Sequence, residues 1–207
     1  MGNTIISHTK INNDCIWHNK ILIHKTDKAG SYMDFLDESY KSLNVSYPKF
    51  FKMDALSKLG VLCAELILRD ENIKPFYTKE KTAIVLSNKS SSLNTDRAYS
   101  RTMGSFPSPA LFVYTLPNIV IGEIAIKHKI TGENAFFIEP MFNAQLLHNY
   151  TELLLRDADA VICGWLSTDE DNCEGFLYFV AKEKAVIEKT SNFINHNPDN
   201  INQLYFK

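Results

Sequence analysis

What this 207-residue chain lacks narrows it before anything it contains does. None of its four cysteines, Cys15, Cys63, Cys163 and Cys173, forms a C-x-x-C pair or has a histidine at zinc-finger spacing. A disulfide framework is therefore not expected, and four reduced thiols fit a cytoplasmic protein. No stretch approaches the roughly 18 apolar residues that a spanning helix needs, and no signal peptide is read at the start. Met1-Gly2 opens like a myristoylation site, but Ile6 stands where Ser or Thr is required. Internal repeats and low-complexity tracts are missing too. Positive charge is not in excess: 22 Lys and Arg against 24 Asp and Glu leave a net charge of -2. That balance argues against nucleic acid or an anionic membrane as partner.

What is present suits one folded core, with 45% hydrophobic and 22% charged residues. Short strands are expected at 4–7, 14–17 and 20–24, the last by its alternation. Residues 31–52 are charged and aromatic, with a turn at Tyr47-Pro48. Asp54 fits an N-cap, and Leu56, Leu59, Leu62, Cys63, Leu66 and Ile67 follow at helical spacing. Residues 82–87 read as a buried strand, 88–104 as a long surface loop, and 117–128 as a helix with proline in its first turn. A strand at 135–138, a helix at 142–156 and strands at 160–164 and 175–181 complete the pattern. Alternating strands and helices predict an α/β domain over residues 1–189, with a mixed, mostly parallel sheet of about five strands. Residues 190–207 form an Asn-rich tail of weak periodicity.

Few side chains stand out as chemistry. Cys163 sits in an apolar strand, where a thiol is buried and inert. His128, between two lysines, reads as a solvated helix end. His148 lies near the polar side of its helix and shows no second ligand at helical spacing, so neither a metal nor a cofactor is expected. Gln145, Asn149, Glu152 and Arg156 recur as one polar stripe on that helix.

Four stretches, in order, carry a resemblance. They are residues 49–57 (Lys-Phe-Phe-Lys-Met-Asp-Ala-Leu-Ser), 107–118 ending Leu116-Pro117-Asn118, 132–141 ending Glu139-Pro140-Met141, and 156–164. Together they resemble the N-terminal half of the β-ketoacyl-acyl carrier protein synthases, members of the thiolase-like superfamily. The resemblance implies a thiolase-like half-domain. It also places Met141 where that family carries its nucleophilic cysteine. A thioether forms no thiolate and cannot hold an acyl chain. The half that bears the family's decarboxylating histidines is not recognised in this chain, and none of the six histidines lies in a segment like it.

The expectation is thus a catalytically inactive subunit in fatty-acid, polyketide or aryl-polyene biosynthesis. Met141 would fill a vestigial pocket as an apolar core residue. The resemblance further implies a homodimer, or a heterodimer with a complete ketosynthase, with an acyl carrier protein as a second partner. Phe112, Tyr114, Thr115, Leu116 and Pro117 become candidates for the interface and acyl tunnel. Phe137 lies on a strand that would pair with its two-fold copy. Lys49, Lys52, Lys127 and Lys129 are candidates for a carrier-protein patch, though ordinary surface charge is the favoured reading. Two rivals stay open: a divergent 3-oxoacyl synthase or acyltransferase with an unidentified nucleophile, and a structural dimer without acyl chemistry.

Overall fold

The computed structural model describes residues 2–26, 30–104, 106–182 and 194–207. Eight strands form one sheet in the order β3-β2-β1-β7-β6-β4-β5, with β8 added to β1. They are β1 (Thr4–Ile11), β2 (Cys15–His18), β3 (Ile21–Lys25), β4 (Thr82–Asn88), β5 (Asn134–Ile138), β6 (Ala160–Thr168), β7 (Cys173–Ala181) and β8 (Ile194–Asn195). Only β4 with β5 and β4 with β6 run parallel; the other pairs are antiparallel. The expected mixed α/β architecture is present, but the sheet is mostly antiparallel rather than mostly parallel, and it has eight strands among the described residues rather than about five. The three expected N-terminal strands join this same sheet as a meander, and the short β8 adds a strand that was not expected.

Seven α-helices among the described residues cover the sheet: α1 (Tyr32–Ser42), α2 (Ala55–Arg69), α3 (Leu93–Thr102), α4 (Pro109–Val113), α5 (Ile119–His128), α6 (Ala144–Leu154) and α7 (Pro198–Phe206). Asp54 caps α2 as expected, accepting the Ser57 N–H at 2.9 Å. Its second oxygen accepts from Thr95 Oγ1 at 2.9 Å, which ties α3 to α2. A reciprocal Ser31–Asp34 box starts α1. Residues 93–102, expected as loop, are helical. Only Thr95 on α3 is buried, so no apolar stripe advertised that helix.

The core lies on both faces of the sheet. Leu59, Leu62 and Ile67 of α2 pack with Ile121 and Ile124 of α5 on one face. Gly60 lets α2 and α5 close up, since a Cβ there would stand 2.4 Å from Val120 Cγ2. On the other face Leu147 and Leu154 of α6 and Ile201 and Leu204 of α7 pack over Val85, Val161 and Tyr178. The tail helix is thus part of that core. A domain boundary at 189/190 lies outside the described residues.

His8, buried in β1, gives the fold an acid sensitivity. Burial, then the nearby His18 and Lys20, push its pKa down to about 4. Between its unfolded value of 6.5 and 4 the unfolded chain binds the proton that the native state refuses. Stability is therefore lost as pH falls through that window, by about 3 kcal/mol at most from this group. Urea midpoints of wild type and His8→Gln should converge as pH drops from 7 to 4. A gap that stays constant would show that His8 does not contribute.

Candidate functional site

The parallel strands β4, β5 and β6 all point their carboxyl ends to one end of the sheet. In α/β proteins this is where chemistry is placed, because the chain leaves each strand there in a loop that the sheet holds rigid. Three segments meet at this end: the run from Asn88 through α3 and α4 to Pro117, the elbow 139–143 after β5, and the turn 169–172 after β6. The Glu139 N–H donates to the Asn88 carbonyl at 2.8 Å, locking the elbow to the end of β4.

The elbow is longer than the sequence suggests. Asn143, not a residue nearer Met141, caps α6, accepting the Leu146 N–H at 3.0 Å while its Nδ2 donates to Glu139 Oε2 at 2.9 Å. Met141 therefore stands three residues ahead of the first helical residue. It is 69% exposed, so it does not fill an apolar gap as expected. A residue lifted off the sheet by a capped elbow has no core to enter. Gln145 faces outward and donates to Asn149 Oδ1 at 2.8 Å.

No cysteine among the described residues is exposed. Cys63, Cys163 and Cys173 are buried free thiols, and Cys15 is buried as well. Burial pushes Cys163 up to about 12 against opposing hydrogen bonds from Thr151 and Tyr178, and Cys173 up to about 12 with help from Asp169. Cys163 is thus the inert thiol its strand implied. Ser92, beside the elbow, donates its hydroxyl to the Thr115 carbonyl at 2.6 Å. No histidine is hydrogen-bonded to it or to the elbow among the described residues, so no serine–histidine pair forms there.

The loop expected at an interface divides in two. Phe112 and Leu116 are 55% and 52% exposed, and Thr115 and Pro117 are half-buried. Tyr114 turns inward instead, and its hydroxyl donates to Glu123 Oε1 at 3.1 Å. Glu123 is fully buried on α5. It also accepts from Tyr47 at 3.3 Å and pairs with Lys49 Nζ at 2.6 Å. Burial, followed by this carboxylate, raises the Tyr114 pKa and keeps the phenol a donor. The anchor fixes Tyr114 so that its neighbours Phe112 and Leu116 project outward.

This network also decides the basic patch. Lys49 is committed to Glu123, and Lys127 to Glu65 at 2.5 Å with only a tenth of its side chain exposed. Lys52 and Lys129 remain at the surface. The four lysines therefore do not form one free patch, because two of them neutralise buried acids.

A shallow cleft of about 370 Å³ opens beside the elbow end, lined by Ser90, Leu93, Asn94, Arg97, Thr168 and the 169–172 turn. Its Asp169 Oδ1 accepts from the turn's own N–H groups, Asp171 at 3.0 Å and Asn172 at 2.8 Å. Phe137, the other interface candidate, packs edge-on against Tyr150 of α6 at 4.9 Å, on the edge strand β5.

No family model matches the sequence, and no curated protein matches it either. The fold does find counterparts. A ketosynthase in complex with its chain length factor from Xenorhabdus doucetiae (ApeO with ApeC) aligns over 100% of this chain and 91% of its own, at a TM-score of 0.59 and 12% identity. The fold is ketosynthase-like. AntDE:AntF, a type II polyketide synthase acyl carrier protein in complex with its ketosynthase, aligns over 91% of this chain and 66% of its own, at a TM-score of 0.57 and 10% identity. The thiolase-like expectation therefore holds for the fold.

One cluster escaped the sequence reading. His148 and Glu152, one turn apart on α6, converge on His196 ahead of α7. The i, i+4 spacing of His148 and Glu152 was the signal, and reading Glu152 as one of a solvent stripe concealed it.

Proposed function

We propose that this chain is a noncatalytic ketosynthase-like subunit that works beside an active ketosynthase in polyketide or fatty-acid type synthesis. The observation that carries the reading is Met141, an exposed thioether at the elbow where the resemblance puts the nucleophile. It is supported by the deeply buried cysteines, whose thiols are held protonated. The fold shared with a ketosynthase and chain length factor complex fits the same role. Without a thiolate the chain shapes or docks an acyl intermediate and does not bond to it.

The test is condensation. The purified protein, given acyl- and malonyl-loaded carrier protein, should release no carbon dioxide above background and show no acyl adduct by mass spectrometry. Met141→Cys should add at most an acylated thiol without restoring turnover, because among the described residues no histidine is hydrogen-bonded to the elbow. A stable adduct on any wild-type side chain would instead favour the rival reading, an acyltransferase with another nucleophile.

Association through β5 belongs to the same reading. This strand ends the sheet, carries no proline, and leaves Ile138 half exposed. Its partner β4 takes the residues on one side of the ladder, from the Ile84 N–H bond to Glu133 to the Glu139 N–H bond to Asn88. The alternation turns the backbone groups of Asn134, Phe136 and Ile138 away from β4. An open edge of this kind invites a strand from a second copy or from an active synthase. Ile138→Lys should leave the melting temperature within a few degrees and weaken assembly measured by sedimentation. Wild type that stays monomeric at high micromolar concentration, alone and beside a candidate synthase, would remove this part of the proposal.

A further inference from the structure

The cluster beneath α6 is assembled from two distant parts of the chain. His148 and Glu152 project from one side of α6, where residues four apart stack one above the other. His196 follows β8, which is held on β1 through the Thr4–Asn195 and Ile5–Ile194 pairs. The His196 N–H donates to the Asn3 carbonyl at 2.9 Å, so the backbone on both sides of this histidine is fixed. Its side chain is completely buried.

The ring contacts are close. His196 Nδ1 lies 2.8 Å from Glu152 Oε1, and the His148 and His196 rings stand 4.7 Å apart. Asn3 Nδ2 donates to the other Glu152 oxygen at 2.8 Å, which orients the carboxylate from outside the cluster. Yet His196 Nε2 and His148 Nδ1 are both buried without a hydrogen-bond partner. Buried ring nitrogens are rarely left this way, since each unmet polar group costs about 1–3 kcal/mol.

We propose that His148, Glu152 and His196 bind a divalent transition-metal ion of the Zn²⁺ class. One ligand atom from each residue lies within 4.8 Å of the others. Donors on one zinc ion, at about 2.0–2.2 Å from it, stand about 3–3.5 Å apart. A contraction of roughly 1 Å by side-chain rotation closes the site. Two imidazoles and one carboxylate are a donor set that zinc accepts, leaving a fourth position for water. The Asn3 amide on Glu152 has the place of an outer partner that orients a ligand. Tyr178 on β7, whose ring is 6.0 Å from that of His196, and Asn3 also face the cluster. Neither adds a charge. The ion would bind α6, directly behind the elbow, to the segment that carries α7.

The test uses the full-length, tag-free protein after chelator treatment. Zn²⁺ titrated against a chromophoric competitor should bind at one ion per chain, and Zn²⁺ should raise the melting temperature. Co²⁺ in its place should give visible bands of a nitrogen- and oxygen-ligated ion. His148→Gln, at a half-buried position that tolerates change, should weaken binding by more than the roughly 10–100-fold that outer partners cost. Glu152→Gln should do the same. His24→Gln, at another histidine, should leave it unchanged. Failure of the wild type to bind Zn²⁺ at 100-fold excess over protein, or affinity that His148→Gln and Glu152→Gln leave intact, would overturn the site. Because the readout is metal binding, its outcome is separate from that of the condensation assay.

Discussion

Gly164→Ala should abolish the fold, with loss of soluble protein or a destabilisation above about 4 kcal/mol. Gly164 is in the middle of β6, opposite Leu86 of β4 and Leu177 of β7. A Cβ at this position would stand 2.0 Å from the Phe176 carbonyl oxygen and 2.9 Å from Leu177 Cα. Both are backbone atoms in a fully buried strand, so no side chain can swing aside. To make room, β6 and β7 must part and lose ladder hydrogen bonds at the centre of the sheet. Yield in the soluble fraction and a thermal melt by circular dichroism measure this directly. A variant that melts within a few degrees of wild type would mean that the strand has slack the contacts do not show.

Lys49→Met should cost about 3 kcal/mol, close to what stranding a buried charge costs elsewhere. The lysine is 45% exposed and loses little itself, but Glu123 keeps a carboxylate that is 0% exposed. Two tyrosine hydroxyls at 3.1 and 3.3 Å then stabilise the charge alone. Adding Glu123→Gln should recover most of the loss, because a neutral amide still accepts from Tyr47 and Tyr114. Chemical denaturation of the single and double variants gives the coupling energy. Equal stabilities for Lys49→Met and the double variant would show that the charge was never the issue. Since Tyr114 anchors the exposed Phe112 and Leu116, the single variant should also weaken any complex made through that loop.

Much of the frame was legible in the residues, and the omissions have physical causes. Asp54 and the apolar stripe behind it marked α2 because capping and periodicity agree there. The buried run at residues 82–87 marked β4 for the same reason. α3 was invisible because it buries almost nothing, and a polar helix carries no periodic signal. α1 went unread because its cap, Ser31 with Asp34, precedes a stretch whose charges mask Phe35 and Leu36. At the elbow, the residue types did not give the exposure of Met141. Where Met141 lies depends on where α6 starts, and Asn143 sets that through hydrogen bonds to Leu146 and Glu139. The role of Lys49 was likewise hidden, since its partner lies far along the chain on α5.

The sheet stops at two different strands. At one end is β5; at the other is β3, where Ile21, Leu22 and Ile23 are 65%, 50% and 43% exposed in succession. The two termini have opposite geometric fates. Like edges meeting, β5 on β5, close after two copies and stop. Unlike edges meeting, β3 on β5, leave the same two ends free after every addition and grow without limit. Lys20 and Lys25, both exposed, flank the β3 aliphatics and repel such stacking. Any partner that occupies β5 therefore does more than complete a complex: it terminates a polymer before it can start.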